Sequence, residues 1–143
     1  MIRNSAIGVV VTTLLSTAAV AETIEIKMLN KTADGERMAF EPAFVQIQPG
    51  DVVKFIATDK GHNAETVKGM IPEGSEGFNG KINEEIEIPF EIEGLYGVMC
   101  KPHYAMGMVM TVAVGVSEAP DGFLNGRVPK KAKARFEDQL GNL

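Results

Sequence analysis

A single cysteine, Cys100, and only two histidines, His62 and His103, stand among 143 residues. One cysteine cannot close a disulfide within the chain, so a disulfide-stapled scaffold is excluded and the fold must rest on packing or on a metal. Basic charge is also in short supply: 14 Lys and Arg face 19 Asp and Glu, a net charge of −5. That balance argues against a nucleic-acid binder, which must neutralise many phosphates. No repeat is visible over residues 69–80, and no long helical periodicity occurs before the C-terminus. Hydrophobic residues make up 45% of the chain and charged residues 23%, the composition of one folded globular domain rather than of a disordered chain.

No hydrophobic run reaches the ~20 residues a spanning helix needs. The first segment instead reads as a secretory signal peptide: Arg3 lies near the start, residues 6–15 are uncharged and mostly apolar, and Ala19-Val20-Ala21 precedes Glu22. Thr12, Thr13, Ser16 and Thr17 dilute the stretch, against a retained membrane anchor. Residues 1–21 are thus predicted to be removed, leaving a soluble exported protein with no membrane attachment. An unpaired thiol in an oxidising compartment is a liability unless it is buried or bound. Cys100 therefore calls for a partner.

From Glu22 to Val116, short β-branched runs alternate with turn signals. Ile24 and Ile26 alternate with Glu25 and Lys27, the period of a half-buried strand. Further strands are predicted over Phe44–Ile47, Val52–Ala57, Ile82–Phe90, Leu95–Cys100 and Val109–Val116, with Lys31–Arg37 as a loop and Pro49-Gly50-Asp51 as a tight turn. Residues 69–80 form a long irregular connection. Period two places Tyr96, Val98 and Cys100 on one face. A short helix can start at Ala119-Pro120-Asp121, and strong helix formers run from Pro129 to Gly141. The predicted organisation is a mostly β domain over 22–117, with a helical extension over 118–143 packed on it.

Chemistry concentrates in Cys100-Lys101-Pro102-His103-Tyr104-Ala105-Met106-Gly107-Met108. Thiolate, imidazole and thioether share one short loop, and His62, at a strand end or loop, can add the second imidazole. Two His and one Cys with a weak Met is the ligand set of blue-copper electron-transfer sites. Taken singly, Cys100 reads as a small core residue, the histidines as surface residues and the methionines as core filling. Their conjunction around an exported protein's only cysteine favours a metal.

Seven motifs in order are shared with a known family: Met28-Leu29-Asn30-Lys31, Phe40-Glu41-Pro42, Pro49-Gly50-Asp51, Asp59-Lys60-Gly61-His62-Asn63, Ile71-Pro72-Glu73-Gly74, Lys81-Ile82-Asn83-Glu84 and Pro102-His103-Tyr104-Ala105-Met106-Gly107-Met108. On these the chain resembles the pseudoazurins, small blue-copper proteins of the cupredoxin family, over nearly all of residues 22–143. The resemblance implies a Greek-key β-sandwich of about eight strands with a C-terminal pair of α-helices, one copper per chain, and no enzymatic activity. It makes His62, Cys100 and His103 the strong ligands and Met108 the weak axial one. Met106, three residues after His103, has the spacing of plastocyanin-like sites instead, and is left for the surface. Asn63 is implied to tie the two ligand loops together, its backbone amide reaching the Cys100 sulfur, with Pro102 beside the ligands.

The resemblance further implies periplasmic service, as a monomer, to redox proteins: nitrite reductase, a peroxidase or a cytochrome. Met38, Met106 and Pro102 are candidates for the apolar centre of the docking surface, and Lys31, Lys60, Lys81 and Lys101 for its basic ring. Met99 stands where the family commonly has lysine, and Lys101 where it commonly has threonine, which bears on partner choice and potential rather than on ligation. Rival readings of the same residues are a periplasmic copper carrier or storage protein, a structural zinc site, for which the axial Met is superfluous, and a Cys100–His103 nucleophilic dyad, which needs an accessible thiolate.

Overall fold

The computed structural model describes residues 18–143. The leader predicted over residues 1–21 lies outside the described residues up to residue 17; residues 18–22 are exposed. No helix among the described residues is long and apolar enough to cross a membrane.

Among the described residues, eight strands form two four-stranded sheets. The first has the order β2-β1-β4-β6, built from β1 (Thr23–Lys31), β2 (Arg37–Glu41), β4 (Val52–Ile56) and β6 (Ile86–Pro89). The second has the order β3-β8-β7-β5, from β3 (Phe44–Ile47), β5 (Glu65–Thr66), β7 (Gly94–Met99) and β8 (Val109–Val114). One α-helix, α1 (Lys130–Leu140), closes the chain, flanked by Pro129 and Gly141. Where the first helix of the C-terminal pair was expected, residues 121–124 form turns.

The two sheets are buried differently. Strands of the first sheet alternate, with Ile26, Met28, Val53 and Phe55 turned inward and Glu25, Lys27 and Glu87 outward. The second sheet is covered on both sides: all six residues of β8 are buried. Met108, Met110, Val112 and Val114 enter the core between the sheets, together with Tyr96, Val98 and Cys100. Val109 and Ala113 enter a second core with Leu95, Phe123, Ala132 and Phe136, under α1. A strand buried on both faces reads as a continuous apolar run rather than an alternating one, which is how Val109–Val114 appears in the sequence.

Several boundaries differ from the sequence reading: β8 ends at Val114 rather than Val116, and Glu65–Thr66 forms a short strand, β5, that was not predicted. The strand predicted over Ile82–Phe90 shrinks to Ile86–Pro89, because Lys81–Glu84 is a turn: Asn83 takes φ +64° and the Glu84 carboxylate accepts from the Lys81 amide at 2.6 Å. The predicted loop after Lys31 is shorter than expected, since Arg37–Glu41 pairs with β1 as an antiparallel strand.

Candidate metal centre

Inward parity carries the site into place. Cys100 continues the Tyr96, Val98 series one residue past the end of β7, and Met108 precedes Met110 and Val112 at the start of β8. Both residues therefore arrive at the same end of the inter-sheet core, where the amide of Cys100 donates to Met108 O at 2.9 Å. Between them Lys101–Met106 makes two 3-10 turns broken by a kink at His103, whose φ is −118° and ψ 19°, and Gly107 ends the segment in the left-handed region. His103 lies on this segment, and its carbonyl accepts from the Met108 amide at 3.1 Å. His62 comes from the loop after β4.

Three donor atoms converge. His62 Nδ1 lies 3.1 Å from His103 Nδ1, and Cys100 Sγ lies 3.6 Å from the first and 3.5 Å from the second. A triangle with these sides has a circumradius of about 2.0 Å, the length of a bond from a first-row transition ion to imidazole nitrogen. The donor chemistry fits as well. Asn30 Oδ1 lies 2.8 Å from His62 Nε2, and since a carboxamide oxygen can only accept, Nε2 carries the proton and the Nδ1 lone pair faces the other two donors. Burial, and then the neighbouring His103, push the His62 imidazole below its ordinary pKa, with Asp59 acting weakly the other way. Two imidazoles and one sulfur around a single point suit a soft or borderline metal ion.

His62 and Cys100 are fully enclosed, whereas the His103 ring is half-buried and reaches the surface. Met108 is fully buried in the core that holds Cys100, while Met106 is 42% exposed. Burial raises the Cys100 thiol, against the opposing pull of the Asn63 and His103 amides. An enclosed thiol with a raised pKa is the reverse of an activated nucleophile.

Hydrogen bonds lock the loops to one another. Asn63 Oδ1 accepts from the Lys101 amide at 2.8 Å, and its amide group donates to Glu65 at 2.9 Å and to Gly80 O at 3.0 Å. Asn83 Oδ1 accepts from the Gly61 amide at 2.7 Å, and the Asn83 amide donates to His62 O at 2.8 Å. Asn30 is in turn held by the Asp59 carboxylate, which accepts its amide at 2.7 Å. Sequence reasoning assigned no role to Asn30, Glu65 or Asn83. Asn30 and Asn83 did stand inside shared motifs, which was the one available signal.

Of the predicted docking residues, Lys31 at the end of β1, Lys60 after β4, Lys81 between β5 and β6, and Lys101, Pro102 and Met106 between β7 and β8 are exposed. Met38 is half-buried and packs on the inter-sheet core, with φ +51°.

Residues 26–115 match the model of the copper binding proteins of the plastocyanin/azurin family. The chain is 46% identical over 130 residues to the pseudoazurin of Paracoccus pantotrophus, covering 90% of this chain and 89% of the relative. It is 44% identical over 115 residues to that of Methylorubrum extorquens, covering 80% and 76%. The crystal structure of native pseudoazurin from Hyphomicrobium denitrificans superposes with a TM-score of 0.78 at 38% identity, covering 85% of this chain and 98% of that one.

Proposed function

The chain belongs to the pseudoazurins, within the plastocyanin/azurin family of copper-binding proteins, and from that membership we propose that it is a periplasmic one-electron carrier delivering electrons to a respiratory reductase such as a nitrite reductase. Membership itself carries copper binding and blue-copper electron transfer with redox protein partners, and no enzymatic activity. In this reading His62, Cys100 and His103 would hold the copper strongly and the Met108 thioether would hold it weakly. The observation that supports this ligand set is the closed triangle of three donor atoms at 3.1, 3.5 and 3.6 Å.

Bound copper supplies a one-electron couple between Cu(II) and Cu(I). The residues of the chain do the rest. Asn30 fixes the His62 ring and its tautomer, and Asn63 joins the His62 loop to the Cys100 loop. Loops crosslinked in this way cannot rearrange much on a change of charge, which keeps the reorganisation barrier small. The enclosure of His62, Cys100 and Met108 excludes water and leaves no open position for a substrate. His103, the one ligand whose ring reaches the surface, is the exit for the electron, framed by Pro102 and Met106. An apolar centre with a charged rim suits an association that forms fast and releases fast.

The visible spectrum of the Cu(II)-loaded protein tests the site. An intense thiolate-to-copper charge-transfer band is expected, lost in Cys100→Ala and shifted in Met108→Gln. A colourless, weakly bound Cu(II) complex in folded protein would sink the reading and favour a copper carrier or a zinc site. Electron transfer to a nitrite reductase, followed by rapid mixing, tests the partner.

A further inference from the structure

β8 enters its sheet with one edge unfilled. β3, its partner on that side, pairs only from Thr111 onward, so the carbonyls of Gly107 and Val109, which face the same way, meet no strand. Both are taken by α1. Arg135 Nη1 donates to Gly107 O at 2.8 Å, and Gln139 Nε2 donates to Val109 O at 3.0 Å. Four residues apart, Arg135 and Gln139 lie on one face of the helix and stand in for the missing strand.

Arg135 also reaches a second segment. Its Nη1 donates to Met38 O at 2.6 Å, its Nη2 to Arg37 O at 2.7 Å, and its Nε lies 3.1 Å from the Glu36 carboxylate. One guanidinium thus joins the turn before Met108 to the start of β2, a task for a planar fork of five donors that an ammonium cannot copy. Gly107 is shaped to receive it: at φ +90°, a Cβ there would lie 3.2 Å from Lys131 O and 3.3 Å from the Arg135 side chain. The helix is seated directly on the residue before Met108.

We propose that Arg135 is a positioning residue for Met108: by fixing the Gly107 carbonyl, it sets where the Met108 thioether stands relative to His62, Cys100 and His103. The inference rests on the reading of Met108 as the axial ligand. A thioether that would bind copper only weakly cannot be placed by that bond, so the backbone must place it.

Arg135→Lys and Arg135→Met are compared with Glu36→Gln, which removes the ion pair and keeps the carbonyl fork, and with Met108→Gln. In the metal-free protein, the Met108 methyl resonance is expected to move in Arg135→Lys while that of Met28 stays. In the copper-loaded protein, the thiolate band persists, but the ratio of its components and the rhombicity of the Cu(II) resonance change. The ratio of Cu(II) to Cu(I) affinity changes about threefold, or about 30 mV for one electron, below the ten- to hundredfold typical of groups bonded directly to a ligand. Arg135→Lys decides the matter if Arg135→Met does not fold. Arg135 variants with wild-type spectra and potentials would overturn the proposal, whatever their melting temperatures, as would a Glu36→Gln variant that reproduces their shifts. An unchanged spectrum in Met108→Gln would instead overturn the axial assignment, a separate failure.

Discussion

The two ends of the sandwich are built on different plans. Strand register defines them: Thr23, Val52 and Pro89 lie together at one end, with Gly94 and Val114, and Cys100 and Val109 lie towards the other. The segments closing the metal end, residues 30–37, 58–63, 80–84 and 100–108, carry five Lys or Arg and four Asp or Glu. Those closing the far end, residues 48–51, 72–77, 90–94 and 115–122, carry seven acidic residues and no Lys or Arg. The net acidity of the chain therefore sits far from the metal, and a chain of charge −5 can still present a near-neutral to basic face to an acidic partner. The closures differ as well. Side chains from remote segments hold the metal end together, namely Asn30, Asn63, Asn83 and Arg135. At the far end most bonds are between backbone groups, such as Gly50 to Phe90 O and Phe90 to Asp51 O, with the carboxylate of Asp51 as the main side-chain tie. Side-chain crosslinks fix the loops that hold a metal, whereas the far end needs only to stay closed.

The largest effect that this division predicts is at Asn63. Asn63→Ala removes the acceptor of the Lys101 amide and the donor to Glu65 and Gly80. Stability is expected to fall by about 1–3 kcal/mol for buried groups left unpaired, and copper affinity by about ten- to hundredfold. Denaturant unfolding of metal-free protein and competition with a copper chelator measure the two. Wild-type affinity in a destabilised variant would break the claim that metal-end crosslinks serve the metal.

Charge comes next. Reversing Lys60 and Lys101 to Glu should slow association with an acidic partner about tenfold at low ionic strength, within the range steering supplies. The difference should vanish with added salt, as the Debye length falls below the spacing of the charges. Equal reversal to Lys of Glu91 and Glu118, at the far end, should leave the rate nearly unchanged. Rapid-mixing rates across a salt series settle both, and comparable responses from the two ends would erase the charge distinction.

How much of this was legible in the sequence depended on range. Local periods were readable: the alternation of β1, the inward series ending at Cys100, and the terminal helix bounded by Pro129 and Gly141. So were residue types around one loop, which brought out the copper chemistry before any geometry. What stayed hidden depends on partners far apart in the chain. β2 lacks alternation of its own and is fixed by pairing with β1. Asn30 is tied to His62 across 32 residues, and Arg135 to Met38 across 97. No spacing within a motif encodes such contacts, and Arg135 looked like one more charge in a helix of good formers.

The smallest predicted effect, at the far end, is the sharpest test of the division. The Asp51 carboxylate accepts from the amides of Glu22 at 2.9 Å and Gln48 at 2.8 Å, and these bonds hold it below the ordinary carboxylate pKa of 3.8. A depressed pKa in the folded state means that its contribution to stability is complete above the unfolded value and is lost as pH falls through the folded one. In Asp51→Asn, the stability deficit relative to wild type should therefore be constant above about pH 5 and shrink progressively at lower pH. Unfolding of the metal-free protein from pH 7 to pH 2 measures it. In a chain processed to begin at Glu22, the first donor is an ammonium rather than an amide, and a charge-assisted bond deepens the effect. The visible spectrum of copper-loaded Asp51→Asn should match wild type, because among the described residues the Asp51 carboxylate bonds only to Glu22 and Gln48, neither of them a ligand nor on a loop that carries one. A spectral change there approaching that of Asn63→Ala would mean that the far end, too, shapes the metal site, and the two plans would collapse into one.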